Sequence, residues 1–359
     1  MRQIFITLLL TTIIFGVKAQ TGDNPAEVLD TIKTVSAADN QKAEKLYNQG
    51  IVQYQQGKYD EAVTKFDEAI KIKPNFAKAY FNRATCKAEQ EKYAESISDY
   101  NMAILLDPAA KSYFSRGLVR YKMKDYTGAE TDFKNAAASG TSTVKAQAFY
   151  YLGCVYFDGK KYEEAIKQYD KAIEAKPDYA YAFNDRGSAK RQLEKYQEAL
   201  KDYRRAIQLN PQMAFTFNNM ASVKKKLGDL EGAITDYTSA IELKPDYYIA
   251  YNNRGSVYMM KKEYNKALAD FTKAISLKPD YAFAYNNRGN VKYKLKRYED
   301  AIKDYNEAIK INPSYGYAYL NRGISKEMLR DESGACADWK KAYSLGIERA
   351  HSYVKAQCN

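Results

Sequence analysis

Prolines recur along this chain at a fixed interval. Pro177, Pro211, Pro245, Pro279 and Pro313 are each 34 residues apart, and Pro74 and Pro108 share the step. A constant period of this length marks a solenoid of stacked units, each packing on its neighbours. In the unit Tyr248–Tyr281, Tyr251, Gly255 and Tyr258 fall on one face of a first helix. Ala267, Phe271 and Ala274 fall on one face of a second. Lys262-Glu263-Tyr264 reads as the polar turn between them, and Pro279 ends the second helix because proline cannot continue it.

Nine copies align, beginning at Ala43, Ala77, Ala110, Ala146, Ala180, Ala214, Tyr248, Ala282 and Gly316. Each first helix has one small residue at the same place, running from Gly50 and Ala84 through Gly255 and Gly289 to Gly323. Each second helix has alanine at one position, from Ala69 to Ala342, with an aromatic before it, from Phe66 through Phe271 to Trp339. Small residues let helices cross closely, and aromatics fill the space beside them. This order of aromatic, glycine, tyrosine, alanine, aromatic, alanine and proline resembles the tetratricopeptide repeat (TPR) pattern. Arg254 stands where that family usually has leucine. The resemblance covers residues 43 to about 349 and implies an all-α fold, a right-handed superhelical solenoid of nine helix-turn-helix units.

The chain divides accordingly. Residues 1–19 read as a secretory signal, with Arg2 as the positive start, Ile4–Phe15 as the apolar run and Val17-Lys18-Ala19 as a small-x-Ala cleavage site. The run is short for a bilayer span, so no transmembrane span is expected after cleavage; an uncleaved anchor is the alternative. Residues 20–42 form a polar lead-in with a short helix expected around Ala26–Val35, residues 43–145 hold repeats one to three, and residues 146–349 hold repeats four to nine. The join at Ala138–Thr143 lacks the terminal proline and reads as a loop. Ile347–Cys358 is amphipathic and predicts a capping helix, so that residues 350–359 close the stack.

An exported chain can form disulfides. Cys336 and Cys358 lie on the two arms of the terminal hairpin and are the candidate pair. Cys86 and Cys154 stand two repeats apart, too far to pair, and read as apolar fillers.

Catalytic signals are missing from the pattern. The one histidine, His351, has no fixed partner, and no phosphate loop, zinc motif or nucleophile elbow is present. The expectation is a non-catalytic chain with no cofactor and no metal. Arg83, Arg116, Arg186, Arg254, Arg288 and Arg322 share one repeat position, and Asp99, Asp132, Asp202, Asp270, Asp304 and Asp338 share another. Where the arginine is missing the acid is missing too in two of three repeats, which predicts an Arg–Asp pair between the helices. Taken as exposed pairs, each would contribute about 1 kcal/mol or less.

The family resemblance implies that residues 2, 5, 6, 9, 12 and 13 of each first helix face a concave groove. The sixth is asparagine without interruption from Asn219 through Asn253 and Asn287 to Asn321, similar to asparagine ladders of the family. A carboxamide both donates and accepts, so it can pair with a peptide unit whatever the side chain. The fifth position is aromatic early (Tyr47, Phe81, Phe114, Tyr150) and asparagine later, at Asn184, Asn218, Asn252 and Asn286. The second position is polar early and apolar later: Tyr181, Phe215, Ile249, Phe283 and Tyr317. Arg191, Lys225, Lys226 and Lys294 add positive charge to the later groove.

The formal charge of +12 permits attraction to acidic partners. The sequence therefore points to a protein-binding or peptide-binding scaffold or adaptor, exported to a periplasmic or secreted location, whose partner is an extended segment with acidic character among the options. Two alternatives stay open: a salt-sensitive binder of acidic polymers such as polysaccharide or nucleic acid, and the recognition subunit of an envelope enzyme complex. Nucleic acid is disfavoured, because most of the 34 tyrosines fall on packing positions and export removes the ligand.

Overall fold

The computed structural model describes residues 35–358. The signal pattern at 1–19 and the lead-in as far as residue 34, with its expected short helix, lie outside the described residues. Among the described residues the chain forms nineteen α-helices and no strand. The described residues divide into two compact units, one ending at Ala148 and the other beginning at Phe149.

In the first unit the helices pair as α1 (Ala37–Gln55) with α2 (Tyr59–Ile72), α3 (Ala77–Glu89) with α4 (Tyr93–Leu106), and α5 (Ala110–Lys122) with α6 (Tyr126–Ser139). The division falls inside α7 (Ser142–Asp158). The second unit continues with α8 (Tyr162–Ala175), α9 (Ala180–Gln192), α10 (Tyr196–Leu209), α11 (Ala214–Lys226) and α12 (Leu230–Leu243). It ends with α13 (Tyr248–Met260), α14 (Tyr264–Leu277), α15 (Ala282–Lys294), α16 (Tyr298–Ile311), α17 (Gly316–Met328), α18 (Glu332–Ser344) and α19 (Glu348–Gln357).

The small-residue positions explain the close pairing. At Gly289 a Cβ would lie 2.7 Å from the Tyr305 ring, so only glycine lets α15 and α16 approach this far. The facing aromatics Phe66, Tyr169, Tyr203, Tyr237, Phe271 and Tyr305 are all at most 1% exposed. Buried phenols need a partner, and the ninth residue of the first helix supplies it. Tyr203 bonds Ser188 at 3.2 Å, Tyr237 bonds Ser222 at 2.9 Å, and Tyr305 donates to Asn290 Oδ1 at 2.8 Å. That position therefore serves the core in these repeats, where the family resemblance assigned it to the groove.

The Arg–Asp pairs form as expected, but in a drier setting. Arg254 donates Nε to Asp270 Oδ2 at 2.9 Å and Nη2 to Oδ1 at 2.8 Å, and its Nη1 reaches Thr238 of the preceding repeat at 3.0 Å. Arg186 and Arg322 make the same two-repeat bridge, to Asp202 and Asp170 and to Asp338 and Asn306. The Asp270 side chain is only 8% exposed. These are buried bidentate pairs, so the expectation of exposed pairs is corrected.

Two boundaries also differ from expectation. The first helix begins at Ala37 rather than Ala43, because Ser36 accepts the Asp39 N–H and caps it. The expected loop over Ala138–Thr143 shrinks to Gly140 and Thr141, with α7 starting at Ser142. No proline stands there to stop α6, and Ala148, Leu152 and Val155 of α7 are buried at helical spacing.

The end of the second unit is closed as a cap requires. Tyr353 of α19 stacks on Trp339 with centroids 4.9 Å apart, and Ala350 is fully buried. Cys336 and Cys358 are joined by a disulfide with Cα atoms 5.5 Å apart. The Cys86 and Cys154 thiols are free and pushed up to about 12 by burial, which suits their reading as inert fillers.

Candidate functional site

The first helices of the second unit carry a row of carboxamides that bond from one repeat to the next. Asn219 Nδ2 donates to Asn184 Oδ1 at 3.4 Å, Asn253 Nδ2 to Asn218 Oδ1 at 3.0 Å, Asn287 Nδ2 to Asn252 Oδ1 at 2.9 Å, and Asn321 Nδ2 to Asn286 Oδ1 at 3.0 Å. Every bond runs from the sixth residue of one repeat to the fifth residue of the repeat before it. The row therefore has a direction, with all of these donors pointing toward the N-terminal repeats.

The fifth-position residues sit behind the row. Asn218, Asn252 and Asn286 are 7%, 7% and 4% exposed. The sequence placed them on the peptide-contacting surface; here each is a buried carboxamide whose oxygen is engaged by the next repeat, an arrangement that braces the neighbouring asparagine. Asn219, Asn253, Asn287 and Asn321 are half-buried, and each keeps a second N–H. In Asn219, Asn253 and Asn321 the carbonyl oxygen is also unused among the described residues, whereas Asn287 Oδ1 lies 3.5 Å from Asn286 Nδ2.

Tyr150 and Asp185 end this row on the N-terminal side, and sequence reasoning did not single them out as a pair. Tyr150 donates its hydroxyl to Asp185 Oδ2 at 2.7 Å, and Asn184 Nδ2 donates to Asp185 Oδ1 at 2.8 Å. Burial raises the Asp185 carboxyl above the usual carboxylate range despite these two donors. The signal was available in the spacing. Tyr150 and Asp185 are 35 residues apart, as are Tyr47 and Asn82, whose Nδ2 donates to the Tyr47 hydroxyl at 2.8 Å.

Beside the carboxamides runs an apolar row at the second position. Tyr181, Phe283 and Tyr317 are 48%, 49% and 56% exposed. Tyr181 stacks on Phe215 at 6.1 Å, and Phe283 meets Tyr315 edge-on at 5.0 Å. Ile249, between them, is half-buried. Of the expected cations, Arg191 and Lys225 are half-buried, while Lys226 and Lys294 are exposed. Burial pushes the Lys225 ammonium down, and the Lys226 charge adds to the effect. The Arg191 charge reaches the buried phenols of Tyr203 and Tyr237 and favours their ionised forms, against their burial. Lys294 lies over the Tyr293 ring at 5.9 Å. The structure brings these groups onto the same helices as the ladder, about two turns nearer the helix C-termini.

No group of three metal-ligating side chains is found among the described residues. Among them no helix is long and apolar enough to cross a membrane.

Known proteins share this architecture. The tetratricopeptide repeat matches residues 180–213, 248–281 and 282–315, and again 77–109. A TPR repeat matches 39–85, 153–190 and 221–262, and together the matches span more than half of the chain. Hsp70-Hsp90 organizing protein 3 of Arabidopsis thaliana is 38% identical over 74 residues, 20% of this chain and 13% of that protein. Human tetratricopeptide repeat protein 13 is 25% identical over 151 residues, 41% of this chain and 17% of its own length. The chain thus spans only about an eighth to a sixth of the length of these two relatives. A tetratricopeptide repeat protein from Parabacteroides merdae shares the fold, with a TM-score of 0.57 at 20% identity over 70% of this chain and 99% of that one. The period, the glycine–aromatic contacts and these matches agree: the chain belongs to the tetratricopeptide repeat family.

Proposed function

We propose that the second unit binds an extended segment of a partner protein and that the chain works as a non-catalytic scaffold or adaptor outside the cytoplasm. The observation that carries this reading is the directional carboxamide ladder. Each sixth-position asparagine is fixed by the repeat before it, so its remaining hydrogen-bonding groups are held at one-repeat intervals before any partner arrives. A preorganised row of donors and acceptors loses little side-chain entropy on binding. It suits a peptide backbone, which presents N–H and C=O groups at regular spacing. The exposed ring row would take the partner's apolar side chains, and Arg191 with Lys225 favours acidic ones.

Similarity to an organizing protein of Hsp70 and Hsp90 supports a role in handling other proteins. The Cys336–Cys358 disulfide supports an oxidising compartment, as does the signal-like start of the sequence.

The test is a crosslinking pull-down from the native compartment, with an Asn219→Ala/Asn253→Ala/Asn287→Ala variant beside the wild type. A defined protein captured by the wild type and lost by the variant supports the ladder as the binding surface. Equal capture by both sinks it. Recovery of acidic polymers alone, released by salt, would replace this reading with electrostatic binding of polyanions.

A further inference from the structure

We propose that the first unit carries a second binding site: a pocket for one large apolar side chain of a partner protein, flanked in the partner by acidic residues. A cavity of about 350 Å³ opens on the first-helix face of this unit, among α1, α3, the end of α4 and the start of α5. Its apolar wall is built from Tyr47, Ile51 and Phe81. Both rings are locked. Asn82 donates to the Tyr47 hydroxyl at 2.8 Å, and Phe81 packs against Tyr100 with centroids 5.6 Å apart. Such a wall does not need to reorganise to accept a side chain.

The chemistry of the rim selects the neighbours of that side chain. Lys78 and Lys111 line the cavity from the second position of consecutive repeats, and both are exposed. Neither has a carboxylate partner among the described residues; Lys111 Nζ instead lies 4.9 Å from the Phe81 ring centroid. Asp107 is the one acid in the lining, so the mouth is positive on balance. Adjacent packed helices are separated by about 10 Å. An extended chain advances ~3.3 Å per residue, so acids three positions apart reach both lysines. The matching segment is therefore acid, large apolar residue, any residue, acid. A segment that carries an apolar side chain between two acids uses the cavity and both lysines together, which is why a protein segment is the occupant.

This site shares no residue with the ladder of the second unit. In repeats five to eight the fifth position is Asn184, Asn218, Asn252 and Asn286, where the first unit has aromatics, so the wall is not repeated there.

The experiment measures fluorescence anisotropy of labelled Gly-Glu-Phe-Ser-Glu-Gly with the full chain. Saturable binding is expected, weakened about thirtyfold when the peptide phenylalanine becomes alanine, since burying such a ring contributes ~2 kcal/mol. Lys78→Glu with Lys111→Glu should weaken it at least as much, and Asn219→Ala/Asn253→Ala/Asn287→Ala should leave it unchanged. Circular dichroism verifies folding, and Phe81→Leu gives a second variant that keeps an apolar side chain while removing the ring. The proposal is overturned by no saturable binding, by equal affinity of the alanine peptide, by equal affinity of the double glutamate variant, or by loss of binding in the triple alanine variant.

Discussion

Asn287 donates a carboxamide N–H to Oδ1 of Asn252, 35 residues earlier in the chain, at 2.9 Å. The acceptor is 7% exposed and the donor is half-buried. The two residue types look alike in the sequence, yet one braces and the other presents.

That difference predicts different outcomes for the two alanine variants. Asn252→Ala removes a buried acceptor and leaves the Asn287 N–H without it, costing about 1–2 kcal/mol of stability. Asn287→Ala should cost less stability and more partner capture. A double-mutant cycle read by chemical denaturation should return a coupling near 1 kcal/mol. Additive variants would show that the bond contributes nothing.

Asp185→Asn should stabilise the protein at neutral pH. Burial raises the Asp185 carboxyl above its ordinary value of 3.8, so the folded state binds that proton more tightly than the unfolded chain. The linked stability is fully present below 3.8 and is lost as pH rises through the folded value. Asparagine removes this dependence, and Tyr150 can accept from its Nδ2 as Tyr47 accepts from Asn82. Thermal melts from pH 3 to 7 would show the wild type losing ground to the variant as pH rises. Parallel profiles would overturn the assignment.

Arg254→Ala tests the bridge between repeats. It would leave the Asp270 carboxylate buried and lacking its bidentate partner, at a cost of about 3–5 kcal/mol. Replacing both residues, Arg254→Met with Asp270→Asn, should recover much of the loss. If Arg254→Ala melted like the wild type but no longer held a partner, the arginine would belong to the binding surface instead.

Reduction of Cys336–Cys358 should loosen the terminal cap first. The bond closes a span of 22 residues, and cross-linking a loop of this length stabilises by about 3 kcal/mol in the chain-entropy picture. Repeats contact mainly their neighbours, so the effect should stay local. Hydrogen exchange after dithiothreitol should rise in α18 and α19 and remain unchanged in α9. Uniform protection throughout would show that packing of Trp339 on Tyr353 suffices.

The sequence alone determined the repeat, its helix pairs and the Arg–Asp partnership, because all three depend on spacing that recurs in register. Gly289 facing Tyr305 and Arg254 facing Asp270 are local consequences of two helices joined by a short turn. The tertiary structure alone decided which groove residue does what. Asn252 and Asn253 are adjacent and identical in type, and only the packing of the next repeat buries one and leaves the other at the surface. It likewise turned the expected exposed ion pairs into buried ones, and gathered Tyr47, Phe81, Lys78 and Lys111 around one cavity. Burial is a property of the neighbours a residue acquires, and those neighbours lie a full repeat away in the chain.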